Sequence, residues 1–511
     1  MKKGLFFYKE KILNLFLSAV IVLLPFCSLL LYMICSGNGI NIKSFIPCMG
    51  NDEYYYYFQI SSMIKYGFPL GYFGFNESIS LIGNLGAWSI FLLLPYVVLG
   101  KIIGWNYYSM VWCNIIFLTL AMYIYIKILK PTVKQKIWII VIYIFEFQII
   151  NTASFLSMTE SLRCAMSIIM MTLLLKILIT STSIKFRFVT ILVSFVFVLA
   201  YLPFILMLFL ITFYSFNKEI KQIFKIVVPI LVTITSTLFS LLINSVFSSK
   251  YFVPYNKDLF IEALLKGTMF EKINNLITLT VKIFGEYLNI FKIKPSDSIF
   301  IFFTIYSFII LFIFLKFIYE NKKNKTPLMK RLYYCLFIIM LGFLIGNIML
   351  NTTSPLSLKR SLLCSWSMFF ISVPIIEKSN TSKGLLLILS LAIIPSSFAS
   401  GISSLRYQYT VYKDISRIND EKEKLSKIFP IDDQNTKDSW DYTIDDFGLL
   451  SSPIVLSFPE GYGINLLTNI EPKKAKYVLI EKNSSATNNR KSFNGYQLIF
   501  EDEYFIIYNK Q

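Results

Sequence analysis

The sequence predicts an all-α polytopic membrane protein with about eleven transmembrane helices, additional juxtamembrane helices and a small extracellular α/β C-terminal domain. Three observations predict it. The 511 residues are 55% hydrophobic and only 15% charged, with a mean hydropathy of +0.61, a balance foreign to soluble globular chains. Apolar stretches able to cross roughly 30 Å of hydrocarbon recur along most of the chain. Beyond them the composition turns polar, with short β-rich runs between turn residues.

The first apolar run, 14–36, follows MKKGLFFYKEK, lacks a small-x-small cleavage site and exceeds the length of a signal-peptide core, so it reads as a retained helix. Further spans are expected at 105–129, 137–155, 163–181, 188–201, 203–217, 226–246, 298–316, 332–350, 361–376 and 384–401. A cytoplasmic N-terminus then places Lys130, Lys134 and Lys136 inside, with Lys185 and Arg187, Lys218, Lys221 and Lys225, the run from Asn321 to Arg331, and Lys378 and Lys383. Every short loop obeys the positive-inside rule. The net charge of +19 is therefore an orientation signal, and nucleic acid is not an expected partner. The segment Leu81 to Gly104 is apolar enough to span, yet counting it would export every later lysine cluster, so it reads as a juxtamembrane or re-entrant helix. Charges interrupt Asp258 to Lys294 every few positions, as in amphipathic helices lying at an interface.

This topology divides the chain into a membrane unit, 1–404, with long outer loops at 37–104 and 247–297, and an extracellular domain, 405–511. Short outer loops fall at Leu156 to Arg163 and Asn351 to Arg360. In the extracellular domain YQYTVYKDISRINDEKEKLSKIF reads as a polar helix, and PIVLSF, YVLIE, YQLIF and YFIIYN read as strands.

The chain has no histidine, which excludes Ser/His/Asp and Cys/His catalysis, and its seven cysteines show no CxxC spacing. Acid-base work falls to Asp, Glu, Lys or Tyr. Sorted by side, the outer-face candidates are Asp52 and Glu53, Glu160 and Arg163, and Lys359 and Arg360. The acids suit activation of a hydroxyl, and the basic side chains suit a phosphate, arginine through its planar fork. Each also has a structural reading. The acids serve equally as solvated loop charges, Glu160 and Arg163 as an i,i+3 ion pair at a helix start, and Lys359 and Arg360 as snorkelling interfacial cations. Tyr54 to Tyr57 read as an aromatic belt. Glu146 is the one acid within an apolar segment, protonated or paired with Lys176. Two acids without a third ligand leave a divalent cation, Mg²⁺ or Mn²⁺, an open question.

The order of these parts resembles the GT-C superfamily of polyprenyl-phosphate-dependent glycosyltransferases, which includes protein mannosyltransferases and aminoarabinose transferases. The resemblance rests on an N-terminal helix, the Asp52-Glu53 pair early in the first outer loop, and YGFPLG followed by GNLGAWSIFLLLPYVVLG with its central Pro95. GWNYYSMVWCNIIFLTLAMYIYIKIL and a short charged outer loop holding Glu160 and Arg163 come next. It covers most of residues 1–200 in pattern; beyond them it rests on topology, on Arg360 in a late outer loop and on the C-terminal domain. The histidine-proline pairs common in that family are absent.

The resemblance implies an inverting glycosyltransferase whose donor is a sugar on a polyprenyl phosphate and whose acceptor is a glycan, lipid or protein. It implies Asp52 as base, Glu53 as its orienter, and Arg360 with Lys359 and Arg163 at the lipid phosphate, with Glu160 beside them. Rival readings are a transporter or flippase of lipid-linked saccharides, a polymerase or ligase of such glycans, and a non-enzymatic scaffold or receptor. The Lys-, Ile- and Asn-rich composition points to a bacterial plasma membrane and to assembly of a surface glycan, with membrane lipids as neighbours.

Overall fold

The computed structural model describes residues 2–35, 51–67, 73–75, 79–80, 89–145, 158–216, 223–246, 253–254, 268, 271, 415–429, 442–444, 456–458, 464–466, 476–482, 493–503 and 505–511, and helical residues at 327–328, 330–332, 334–335 and 337–339. Nine helices carry the described part of the membrane unit: α1 (Lys2–Cys35), α2 (Asn51–Tyr66), α3 (Ile90–Ile103), α4 (Ser109–Leu129), α5 (Val133–Phe145), α6 (Glu160–Ile179), α7 (Ile184–Ala200), α8 (Ile205–Phe216) and α9 (Phe224–Val246). Among the described residues four helical stretches are long and apolar enough to cross a bilayer, Lys9–Leu30, Ser109–Leu129, Glu160–Ile179 and Phe224–Ile243. The chain is a membrane-embedded helical protein. The spans expected at 298–316, 361–376 and 384–401, and Glu146, lie outside the described residues, as does nearly all of 258–294.

Helix α6 occupies the centre. Its apolar window is 72% buried, against 28% for α1 and 17% for α9, so α1 and α9 turn Leu15, Phe16, Leu231 and Leu238 outward, surfaces that a soluble chain would cover. Helix α3 has 14 residues, about 21 Å at 1.5 Å per residue, too short for roughly 30 Å of hydrocarbon. It ends at Gly104, whose φ of 84° is open to glycine. Helices α7 and α8 are separated at Tyr201, whose backbone is extended, and by the 3-10 turn Leu202–Phe204. Pro203 has no N–H with which to continue α7.

Polar contacts sort the bundle into two ends. At one, Lys136 Nζ donates to the Asn14 carbonyl at 2.9 Å and also to the Asn14 and Ser18 side chains. Arg187 Nη1 reaches the Ser215 carbonyl at 2.9 Å, which makes α7 and α8 an antiparallel pair with its turn at the opposite end. Lys130, Lys134, Lys136, Lys185 and Arg187 thus gather at one end, as the sequence predicts for the cytoplasmic side. The start of α6 and the turn at Tyr201 lie at the other.

The C-terminal region supplies helix α10 (Ile415–Ile428), inside the expected polar helix, and strands β4 (Tyr442–Ile444), β5 (Ile464–Leu466), β6 (Tyr477–Glu481), β7 (Tyr496–Glu501) and β8 (Phe505–Lys510). Three further strands come from the two long loops: β1 (Phe73–Phe75), β2 (Ile79–Ser80) and β3 (Val253–Pro254). All eight form one sheet of order β3-β2-β1-β5-β4-β6-β8-β7. Strand β1 runs parallel to β5 with Phe73 opposite Ile464 and Phe75 opposite Leu466; β4, β5 and β6 are parallel, and β6, β8 and β7 antiparallel. An open sheet cannot thread a bilayer, so its eight strands share one side of the membrane.

Tyr477, Val478, Leu479 and Ile480 are all buried, as befits a strand covered on both faces. One face packs on Phe493 and Tyr508. Helix α10 buries Ile418, Glu421, Leu425 and Phe429, a stripe at helical spacing, and Phe429 meets Tyr477 edge-on at 4.7 Å. YVLIE, YQLIF and YFIIYN are strands as expected. PIVLSF is not: its described residues Leu456 and Ser457 form a 3-10 turn and Phe458 a bend, because Pro459 beyond them has no N–H for a ladder. Leu456 and Phe458 are nevertheless buried.

Candidate functional site at the end of the bundle opposite the lysine clusters

Asp52 and Glu53, expected in a loop, lie in the first turn of α2, where the helix dipole favours negative charge. Their side chains lie outside the described residues, as do Lys359 and Arg360 entirely. One turn further along α2, Tyr56 is fully buried, and its hydroxyl accepts from Arg163 Nη2 at 3.2 Å. The structure thus brings the helix that opens with the acid pair onto the helix that opens with Glu160 and Arg163.

Arg163 is the centre of this cluster. It is 1% exposed, its Nη1 lies 3.5 Å from Glu160 Oε1, and its guanidinium stacks over Tyr201 at 4.6 Å. Tyr201 in turn meets Phe204 edge-on at 5.3 Å. The one guanidinium therefore joins α2, α6 and the break between α7 and α8. Glu160 and Arg163 form the i,i+3 ion pair at a helix start that their spacing allows, and both side chains are buried. Burial pushes the Tyr56 hydroxyl up from its ordinary value to about 12, against the opposing pull of the Arg163 charge. Tyr56 is neutral at physiological pH and serves as a hydrogen-bonding group.

A second layer fixes the same end. Tyr96 on α3 donates to Asn114 Oδ1 at 2.6 Å, and Asn114 Nδ2 donates to the Met158 carbonyl at 3.0 Å, two residues before α6 begins. Ser89 caps α3 by accepting from Phe91 N, and donates its own proton to the Leu199 carbonyl at 2.7 Å near the end of α7. Gly100 lets α2 approach α3: a Cβ there would meet Ile64 Cδ1 at 2.6 Å and Trp105 Cε3 at 2.9 Å.

Tyr54, Tyr56 and Tyr57 are buried, which corrects their reading as an aromatic belt. Helix α2 packs into the protein against α3, so Tyr54, Tyr56 and Tyr57 face the protein interior. Tyr57 stacks on Trp105 at 5.9 Å and lies 5.7 Å from Tyr107. Sequence reasoning singled out neither Tyr56, Tyr201, Tyr96 nor Asn114. The available signals were Tyr56 one helical turn after Asp52 and Asn114 as a lone amide in an apolar span. No group of three or more His, Cys, Asp or Glu side chains stands together among the described residues.

The fold and this end of the bundle define a helical membrane protein with strands β1, β2 and β3, from between its helices, built into a C-terminal sheet. No family of sequence models matches the chain, and no curated protein does. Among solved structures it is similar to the Archaeoglobus fulgidus oligosaccharyltransferase solved with zinc and sulfate, at 13% identity and a TM-score of 0.44 over 90% of this chain and 68% of that one. It is also similar to ArnT from Cupriavidus metallidurans bound to undecaprenyl phosphate, at 10% identity and a TM-score of 0.48 over 96% and 97% of the two chains. At these values no residue of either is carried over to this chain.

Proposed function

We propose that the protein is an inverting glycosyltransferase that moves a sugar from a polyprenyl-phosphate donor to a glycan, lipid or protein acceptor on the outer face of a bacterial plasma membrane. One observation carries the reading. The adjacent acids Asp52 and Glu53 open a helix that is locked one turn later, through Tyr56 and Arg163, at the end of the bundle opposite the lysine clusters. A pair of carboxylates on a rigid helix, on the side away from the positive charges, suits proton abstraction from an acceptor hydroxyl.

In this mechanism the acceptor oxygen attacks the anomeric carbon from the face opposite the phosphate. The bond from that carbon to the phosphate oxygen breaks, and the polyprenyl phosphate leaves with the bonding pair. Asp52 takes the hydroxyl proton, with Glu53 orienting it. Arg360 and Lys359 stabilise the charge that grows on the departing phosphate. Glu160 and Arg163 act from the interior by holding α2 in place, because Arg163 is sealed against Tyr56 and Tyr201. A cytoplasmic N-terminus and an extracellular domain at 405–511 complete the arrangement. No step here requires a divalent cation, and Asp52 and Glu53 are the residues that would hold one.

Membranes carrying Asp52→Asn and Arg360→Ala are expected to lose sugar transfer from a polyprenyl-phosphate donor while the protein remains folded. Normal transfer by Asp52→Asn sinks the assignment of the base, and normal transfer by Arg360→Ala sinks that of the phosphate ligand. Labelling of a cysteine at Ser451 from outside intact cells tests the sidedness; protection there overturns it.

A further inference from the structure

Two separate ties join the C-terminal domain to α2. The first runs through the backbone: β1 begins seven residues after α2 ends and enters the sheet directly beside β5. The second runs through side chains. Tyr57 on α2 packs on Tyr107 at 5.7 Å, and the Tyr107 hydroxyl donates to Asn419 Oδ1 on α10 at 3.2 Å. Tyr107 is only 8% exposed and Tyr57 3%, so little water competes for this path. Gly67, with φ of 76°, closes α2 and turns the chain toward β1, its N–H bonded to the Met63 carbonyl at 3.1 Å. Helix α2 is therefore held at two places: at the adjacent Tyr56 and Tyr57, by Arg163 and Tyr107, and beyond its end by the sheet.

We infer that the C-terminal domain is a positioning element for α2, and that Tyr107 and Asn419 are positioning residues for the acids at its start. The inference rests on the reading of Asp52 as the base, and it goes beyond that reading by giving the domain a task in the transfer step itself. A helix fixed one turn after its start and again beyond its end holds its first turn against thermal displacement, which matters where a base must stay within hydrogen-bonding reach of its substrate. The domain that caps the outer face thus reports its own docking to the reacting end of the bundle.

The test is amide hydrogen exchange over 51–66 in the full-length protein, paired with transfer activity and binding of a sugar-free polyprenyl phosphate. Tyr107→Phe and Asn419→Ala should each speed exchange in α2 and slow transfer by about three- to tenfold, the size of one lost hydrogen bond, while polyprenyl-phosphate binding stays unchanged. Asn419→Asp keeps an accepting oxygen and should restore both. Unchanged exchange in α2 in both variants overturns the inference whatever the activity does. Faster exchange with undiminished transfer also overturns it, because α2 would then be coupled to the domain without consequence. Asp52→Asn run alongside separates the two failures: if it abolishes transfer while Asn419→Ala does not slow it, the positioning role alone is wrong.

Discussion

Two helices of this protein begin or pass through the same short pattern, an acid followed three residues later by a base, and put it to different uses. In the membrane unit Glu160 and Arg163 lie 3.5 Å apart with both side chains sealed, at 4% and 1% exposure. In the C-terminal domain Glu421 and Lys424 lie 2.6 Å apart, but Lys424 is 51% exposed while Glu421 is 2%. The first pair is completed by aromatic groups: the planar guanidinium lies over Tyr201 and donates to Tyr56. A second acid completes the other, since Asp502 lies 3.9 Å from Lys424 and its charge acts on Glu421. Equal spacing therefore gives a rigid junction where arginine meets aromatic rings, and a titratable contact where lysine reaches water between two carboxyls.

The sharpest way to break this comparison is Arg163→Ala. It strands the buried Glu160 carboxylate and removes the stack on Tyr201, and the expected loss is about 3–5 kcal/mol, read as a fall in melting temperature of the detergent-solubilised protein. Arg163→Lys should recover little, because an ammonium neither spreads over the Tyr201 ring nor spans to Tyr56 as a guanidinium does. Full recovery would mean that charge alone holds the junction.

Tyr56→Phe removes one hydrogen bond to a charged group and keeps the ring, so about 1.5–3 kcal/mol is expected. The pH profile carries its own sign. The folded-state hydroxyl is raised from 10.0 to about 12, so its contribution is intact below 10.0 and fades as pH climbs through that window. The phenylalanine variant should lose this part of the alkaline destabilisation, as followed by tyrosine absorbance during unfolding; an unaltered alkaline limb would place the hydroxyl in water.

In the second pair, burial first, and then the neighbouring Asp502, raises the Glu421 carboxyl above its ordinary 4.5 although Lys424 pulls the other way. A raised acid binds its proton more tightly when folded, so its contribution is fully present below 4.5 and is lost as pH rises through the folded value. Helix α10 should therefore pack more firmly on the sheet at mildly acidic pH. Exchange at 415–428 should slow on acidification in the native protein, after correction for intrinsic rates, and Glu421→Gln should abolish that change. A glutamine variant with the same pH response would assign the titration to another group.

What could be read from the sequence follows from what each feature depends on. The gathering of Lys136 and Arg187 at one end of the bundle was legible from charge alone, and their contacts with Asn14 and Ser215 place both there. The short length of α3 was legible from the lysines that a further span would have exported. Tyr56 as an anchor was not: four consecutive tyrosines look like an interfacial belt until α3 is seen against them, and that packing depends on Gly100 far along the chain. The strands β1, β2 and β3 were beyond reach because two or three residues show no periodicity. Strand β1 finds β2 a few residues on, but its other neighbour β5, and the β3 beside β2, come from distant segments, and strands this short announce nothing by themselves. The same holds for β4 and β5, while β6, β7 and β8, of five or six residues, announced themselves by β-rich runs.

The smallest expected effect discriminates best between the two pairs. Lys424→Ala removes a cation whose side chain is half in water, where screening and side-chain entropy offset most of the Coulomb gain, so a loss below about 1 kcal/mol is expected at neutral pH. What remains is Glu421 beside Asp502 without the lysine that lowered it, so the acid-stabilised packing should persist and move to higher pH, and added salt should matter less than in the native protein. Arg163 predicts the opposite of its own variant: a large loss, little affected by salt, because the pair is sealed from ions. Should Lys424→Ala cost as much as Arg163→Ala, the burial of the acid alone would set the strength of such a pair. Tyr201 and Tyr56 would then be bystanders to a guanidinium that any cation replaces.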